Sequence, residues 1–154
     1  MAKEYKYYWE DFVPGSVQEV GGVEVTKEAI IEFARQYDPQ PFHVDEEAAR
    51  QSPYGGLIAS GWHTCALAMR MICDAFMLEA ASVGSPGIDN LRWLKPVRPG
   101  DVLRVRLTVL EARPLASKPG IGLVRHRWEV LNQNDEVVME MEGAVMFRRR
   151  QMAS

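Results

Sequence analysis

Between residues 102 and 147 apolar and polar positions alternate with a period of two, the signature of strands that bury one face. Over residues 102–111, Leu103, Val105, Leu107 and Val109 interleave with Arg104, Arg106 and Thr108. Over 124–131, Val124, His126, Trp128 and Val130 interleave with Arg125, Arg127 and Glu129. Over 137–147, Val137, Met139, Met141, Val145 and Phe147 oppose Glu140 and Glu142, and the Asn-Gln-Asn-Asp run at 132–135 supplies a hairpin loop. These three segments are expected to pair as antiparallel neighbours. A fourth strand is predicted over 88–94. It ends at Lys95-Pro96-Val97-Arg98-Pro99-Gly100-Asp101, whose prolines and glycine do not continue a central strand.

Residues 56–82 are the most apolar stretch, but His63, Arg70, Asp74 and Glu79 interrupt it. It falls short of the roughly 20 mostly apolar residues of a membrane span and reads as a buried helix. A helix hydrophobic nearly all round needs other elements to wrap it. Arg70 and Asp74, four apart, mark a narrow strip where it meets solvent or a partner subunit. A shorter helix is predicted after Thr26 as N-cap, with Glu28 in its first turn and Ala29, Ile30, Phe33, Ala34 and Tyr37 on one face. Pro39 disfavours helical backbone at Asp38 and ends it. A further short helix is expected after Asp45, where Glu46 and Glu47 favour an N-terminal dipole. There is no internal repeat or linker, so residues 1–154 are read as one domain of α+β class, a long antiparallel sheet curled around a central buried helix.

Composition narrows the function. The 154 residues are 47% hydrophobic and 25% charged, the balance of an ordinary globular chain. A domain of this size buries roughly 68–70% of its unfolded surface, so it needs neither disulfides nor a structural metal. Cys65 and Cys73 lack CxxC spacing and are read as reduced thiols of a cytoplasmic protein. A net charge of −3 speaks against a nucleic-acid partner held by phosphate neutralisation. The first ten residues carry charges throughout, so no secretory signal is predicted. His43, His63 and His126 have no short paired spacing, so no metal site is expected. His63 is expected to satisfy a neighbour, and His126 to sit in core or interface. Neither GxGxxG nor a Walker loop occurs, so no nucleotide cofactor is indicated.

The run Asp38-Pro39-Gln40-Pro41-Phe42-His43 places a carboxylate and an imidazole at the two ends of a turn stiffened by two prolines. Stiffness serves an acid/base pair, which must stay within hydrogen-bond reach of the proton it moves. The residues taken alone also suit a plain turn former and an ordinary half-buried histidine. Next comes Tyr54-Gly55-Gly56-Leu57-Ile58-Ala59-Ser60-Gly61-Trp62-His63, a glycine-rich entry into the long helix. N–H groups at a helix start lack intrahelical partners and carry partial positive charge, and a glycine lets a ligand oxygen approach them. Gly61 is thus a candidate oxyanion donor, with tight packing at a helix start as the plain alternative.

Together with Phe33-Ala34-Arg35-Gln36-Tyr37 before Asp38 and Leu91-Arg92-Trp93-Leu94 before Lys95, these segments resemble the MaoC-type dehydratases, relatives of the (R)-specific enoyl-CoA hydratases. The likeness runs from about Trp9 to Arg150. It implies the hot-dog fold and a motif Asp-x-Asn-Pro-x-His that falls on Asp38, Pro41 and His43. Gln40 stands where the family has Asn, and Ser60-Gly61 where it has His-Gly. The resemblance implies reversible addition of water to a trans-2-enoyl-CoA to give a (3R)-hydroxyacyl-CoA. Asp38 would deprotonate the water, His43 would orient it and help deliver the proton to C2, and Gly61, flanked by Ser60, would take the charge on the thioester oxygen. Coenzyme A enters only as part of the substrate, with no other cofactor and no metal. Its phosphates could meet Arg92, Lys95, Arg98, Lys118 or Arg148, Arg149 and Arg150. Pocket depth is expected to depend on Trp62, Met69, Phe76 and Trp93. A homodimer with sheets joined side by side, or an assembly of dimers, is also implied, with no membrane partner. A hot-dog thioesterase and a non-catalytic acyl-CoA-binding module are the alternatives, although the Asp38-to-His43 spacing favours hydration.

Overall fold

A computed structural model describes residues 3–150. Five strands form one antiparallel sheet in the order β1-β3-β4-β5-β2. They are β1 (Val17–Glu24), β2 (Ser82–Trp93), β3 (Val102–Leu115), β4 (Lys118–Leu131) and β5 (Val137–Arg148). The helices are α1 (Lys27–Tyr37), α2 (Pro41–Val44), α3 (Glu46–Arg50) and α4 (Gly61–Ala75).

The period-two reading holds on β3 and β4, whose expected inward residues Leu103, Val105, Leu107, Val109, Val124, His126, Trp128 and Val130 are all buried. With Met139 and Met141 of β5, this face packs on Ala68, Met71 and Ile72 of α4. The outer face is a charge ladder: Arg106 lies opposite Glu19 and Glu129, and Arg127 opposite Glu142. The turn between β4 and β5 forms as expected. Asn132 Oδ1 accepts from the N–H groups of Asn134 (2.9 Å) and Glu136 (3.1 Å), and Asp135 takes φ 60°.

Three expectations need correction. The long helix occupies only 61–75; Ser60 caps it by accepting from the Trp62 N–H at 3.3 Å, and residues 57–60 before it are not helical. Nor is it wrapped all round: Trp62 is 57% and Met69 37% exposed, and Ala66, Arg70 and Asp74 also face outward, because the sheet covers only one side. Arg70 and Asp74 pair at 3.0 Å on that outer side. The fourth strand starts six residues earlier than predicted, at Ser82, and carries Gly84, Pro86 and Gly87. A proline is tolerated there because β2 is an edge strand with three register shifts.

Strand β1 escaped the hydropathy pattern. Its Gly21 and Gly22 interrupt any alternation and make a bulge, with φ of 91° and 134°. A Cβ on Gly21 would lie 2.1 Å from Met71 Sδ, so a side chain there would have to displace the Met71 thioether, at a φ that already favours glycine. The short helices follow their caps. Thr26 Oγ1 accepts from Ala29 N–H (3.1 Å) at the head of α1, and Asp45 Oδ1 accepts from Glu47 and Ala48 N–H at the head of α3.

Candidate active site

The end of α1 and the start of α4 meet at Asp38. Asp38 closes α1, its N–H bonding Ala34 O at 2.8 Å, and Pro39 prevents continuation. Pro41 then takes the first position of α2, where no N–H is needed. That single helical turn was not foreseen, and it carries His43 inward to a fully packed position, 4% exposed. The extended residues before α4 run alongside: Ile58 N–H bonds Phe42 O (3.2 Å), and Ile58 O faces His43 Nδ1 at 2.7 Å. A carbonyl only accepts, so Nδ1 carries a ring proton, and in the neutral tautomer this selects Nε2 is the acceptor.

That Nε2 lies 3.3 Å from Asp38 Oδ2. Each carboxylate oxygen also receives a donor, since Ser60 Oγ–H gives to Oδ2 and Gln40 Nε2–H to Oδ1, both at 2.7 Å. Burial pushes the Asp38 carboxyl up, but the hydrogen bonds from Ser60 and Gln40, with a smaller contribution from the neighbouring His43, outweigh it and hold the pKa below the ordinary value. Asp38 is therefore a carboxylate at neutral pH.

These groups open on a cleft of about 540 Å³ lined by Asp38, Gln40, His43, Gly61 and Thr64, with Phe42, Tyr54, Trp62 and Trp93 as aromatic walls. Gly61 opens α4, and its N–H has no hydrogen-bond partner among the described residues, as the first N–H of a helix requires. The Trp93 indole lies against this glycine. A Cβ on Gly61 would come within 2.3 Å of the ring, so any side chain there would force the indole to shift.

The structure thus gathers Asp38, His43 and Gly61 about one cleft, while Ser60, fully buried, stands behind Asp38 and does not line it. Of the four residues expected to bear on pocket depth, Trp62 and Trp93 line the cleft, whereas Met69 is on the outer face of α4 and Phe76 is at its far end. Thr64 was missed, although its position three residues after Gly61, on the same helix face, marks it. Of the basic residues considered for phosphates, Lys95 lines the cleft and pairs with Glu136, and Arg98 borders it by donating to Tyr54 O at 2.6 Å. Arg149 bonds Pro119 O, and Arg150 pairs with Asp11. They lie beyond the far end of β5, whose near end carries the cleft residue Val138, roughly 30 Å away at strand rise.

The other two histidines stand apart from the cleft. His63 is buried and stacked on Phe33 (centroids 4.7 Å, 8°), its Nδ1 unpaired, and burial pushes its pKa down. It does not satisfy the neighbour expected of it. His126 is core, edge-on to Phe12, with its pKa pushed down by burial to about 4. Among the described residues no cluster of three or more His, Cys, Asp or Glu could hold a metal ion, and no helix is long and apolar enough to cross a membrane.

An antiparallel sheet packed on one long helix is the hot-dog fold, a scaffold of hydratases and dehydratases. The comparisons agree. The MaoC like domain pattern matches residues 12–126, and the chain belongs to this family of MaoC-like dehydratases. A MaoC-like dehydratase structure from Rhodospirillum rubrum superposes with TM-score 0.86 and 42% identity, covering 94% of this chain and 99% of that one. Protein YdeM of Bacillus subtilis is 29% identical over 140 residues, 91% of this chain and 98% of its own length. A 3-hydroxybutyryl-CoA dehydratase of Methylorubrum extorquens is 26% identical over 147 residues, 95% of this chain and 87% of its own.

Proposed function

We propose that this protein adds water reversibly to a trans-2-enoyl-CoA, giving a (3R)-hydroxyacyl-CoA. The observation that carries the reading is the 3.3 Å approach of Asp38 Oδ2 to His43 Nε2 beside the free Gly61 N–H. Two acceptors at that distance have room to share the protons of one water, leaving an oxygen lone pair for attack at C3. Asp38 takes one proton as the C3–O bond forms, and the C2=C3 electrons move onto the thioester oxygen. The Gly61 N–H receives that charge, aided by the helix dipole. The proton held by Asp38 then passes through His43 Nε2 to C2, and both groups return to their starting states. Dehydration is the same path reversed. The chemistry requires no metal and no cofactor beyond the coenzyme A of the substrate. General acid/base help is worth roughly 10²–10⁴ in rate and one oxyanion donor about 2.7–4 kcal/mol, so the two must act together.

Lys95 and Arg98 are proposed to meet the coenzyme phosphates at the rim. The exposed edge of β2, with Ile88 49% exposed, is the proposed seam of a homodimer. The test of the reaction is crotonyl-CoA with two readouts, loss of the conjugated enoyl absorbance and appearance of free thiol. Absorbance loss without thiol is expected. Thiol release without hydration would make the protein a thioesterase, and binding without either would make it an acyl-CoA-binding module.

A further inference from the structure

A second cavity, of about 180 Å³, lies at the other end of α4, about 20 Å from Gly61 by the length of that helix. Tyr7, Phe12 and Phe76 wall it with aromatic rings, and the buried residues Leu107, Val109 and His126 make its inner end. Asp11, Ser16 and Gln18, all exposed, line its mouth. The walls are fixed in place. Tyr7 N–H donates to Glu79 O at 3.2 Å, Ala81 N–H donates to Tyr7 O at 2.9 Å, and Phe12 stacks on Phe147 with centroids 4.3 Å apart. His126 is 4% exposed, and neither of its ring nitrogens has a hydrogen-bond partner among the described residues. Of the buried side-chain nitrogens without a partner there, only His63 Nδ1 is sealed; those of His126 open on the cavity. A neutral imidazole, the form that burial imposes on His126, has one N–H donor and one acceptor nitrogen. Phe12, edge to face with the ring at 5.8 Å, offers that acceptor no donor, and the Ser16 hydroxyl is already given to Val13 O at 2.6 Å.

We propose that this cavity is a binding site for a neutral, single-ring aromatic alcohol, its ring held among Tyr7, Phe12 and Phe76 and its hydroxyl donating to the free nitrogen of His126. Size sets the class, since an apolar cavity of about 150 Å³ takes up benzene, and this one has room for one ring with a polar substituent. Charge narrows it further. No cation lines the cavity to pair with an anion, and the Asp11 carboxylate at the mouth repels one. That carboxylate is itself paired with Arg150 at 2.8 Å, which leaves no charge for an ammonium group. No step of the proposed hydration uses these residues, so the site stands or falls independently of that reaction.

The experiment titrates p-cresol, toluene and 4-methylbenzoate into the 15N-labelled protein at pH 7 and follows the imidazole nitrogens of its three histidines by long-range 1H–15N spectra. The His126 signals are those lost in His126→Leu, a change that keeps the side chain's bulk and removes its nitrogens. p-Cresol is expected to shift the His126 nitrogens saturably while those of His43 and His63 stay in place. It is expected to bind about 5-fold more tightly than toluene, the effect of one added hydrogen bond, and 4-methylbenzoate is expected not to bind. His126→Leu should still bind toluene and lose the preference for p-cresol. A cavity that holds only water, seen as no saturable shift of His126 by p-cresol, overturns the proposal. So does a shift at His43 in its place, equal affinity for p-cresol and toluene, binding of the carboxylate, or a preference that survives in His126→Leu. If His126→Leu does not fold, His43→Asn and His63→Phe assign the His126 signals by elimination, and the wild-type shifts and ratio decide.

Discussion

Ser60 Oγ–H donates at 2.7 Å to the same Asp38 Oδ2 that faces His43 Nε2 at 3.3 Å, so one buried hydroxyl fixes the carboxylate at the N-terminus of α4. The helix start therefore supplies both the free N–H of Gly61 and the support for the carboxylate beside it. Replacing Asp38 by Asn keeps the shape and removes the base. Crotonyl-CoA hydration is expected to fall by roughly 10²–10⁴, with acyl-CoA affinity and thermal unfolding nearly unchanged. An Asp38→Asn protein with wild-type kcat would refute the assignment.

Gln40 is tested by a pH profile. Its amide donates to Asp38 Oδ1 and helps hold the carboxyl below its ordinary value, so Gln40→Ala should raise the Asp38 pKa. The acid limb of kcat/KM for hydration is expected to move to higher pH, with little change on the alkaline side. Gln40→Asn, which keeps the amide on a shorter arm, should lie between the two. An unmoved acid limb would show that this hydrogen bond does not tune the base.

The contact between Gly61 and Trp93 predicts a rescue. Gly61→Ala alone drives a methyl into the indole and is expected to lower thermal stability by about 1–3 kcal/mol, the usual cost of overpacking. Adding Trp93→Ala removes the obstacle and should recover most of that loss. Additive destabilisation in the double variant would mean the two residues do not touch.

His126 predicts acid lability. Folding pushes its pKa from the ordinary 6.5 down to about 4, so the unfolded chain takes a proton that the folded one refuses over that interval. Its contribution is complete above about pH 6.5 and is lost as pH falls toward 4, on the order of 3 kcal/mol over the whole window. His126→Leu should flatten the pH dependence of unfolding in urea between those limits. If the slope persists unchanged, another group is responsible; His63, also pushed down by burial, is the next to replace.

The Asp38-to-His43 run was legible as chemistry because its elements are local. Two prolines and a helix end lie within six consecutive residues, and backbone sterics determine them; the helical turn that carries His43 inward was not legible there. Ser60 was legible only as a neighbour of Gly61. Its hydroxyl caps α4 and points at a carboxylate 22 positions earlier, and no local pattern records that. Trp93 lies 32 residues from the glycine it covers. Its place in the cleft follows from the pairing of β2 with β5, which Pro86 and the two glycines of β2 conceal from any periodicity.

Local sterics and the burial of alternate side chains determined β3, β4, β5, the caps of α1 and α3, and the Asp38–His43 turn, because each depends on residues a few positions apart. Tertiary packing alone decided which face of α4 stays open, how β1 and β2 flank the three long strands, and which groups converge on Asp38. Those outcomes are set by contacts between distant segments, whose free energy is shared across the sheet and belongs to no single stretch of chain.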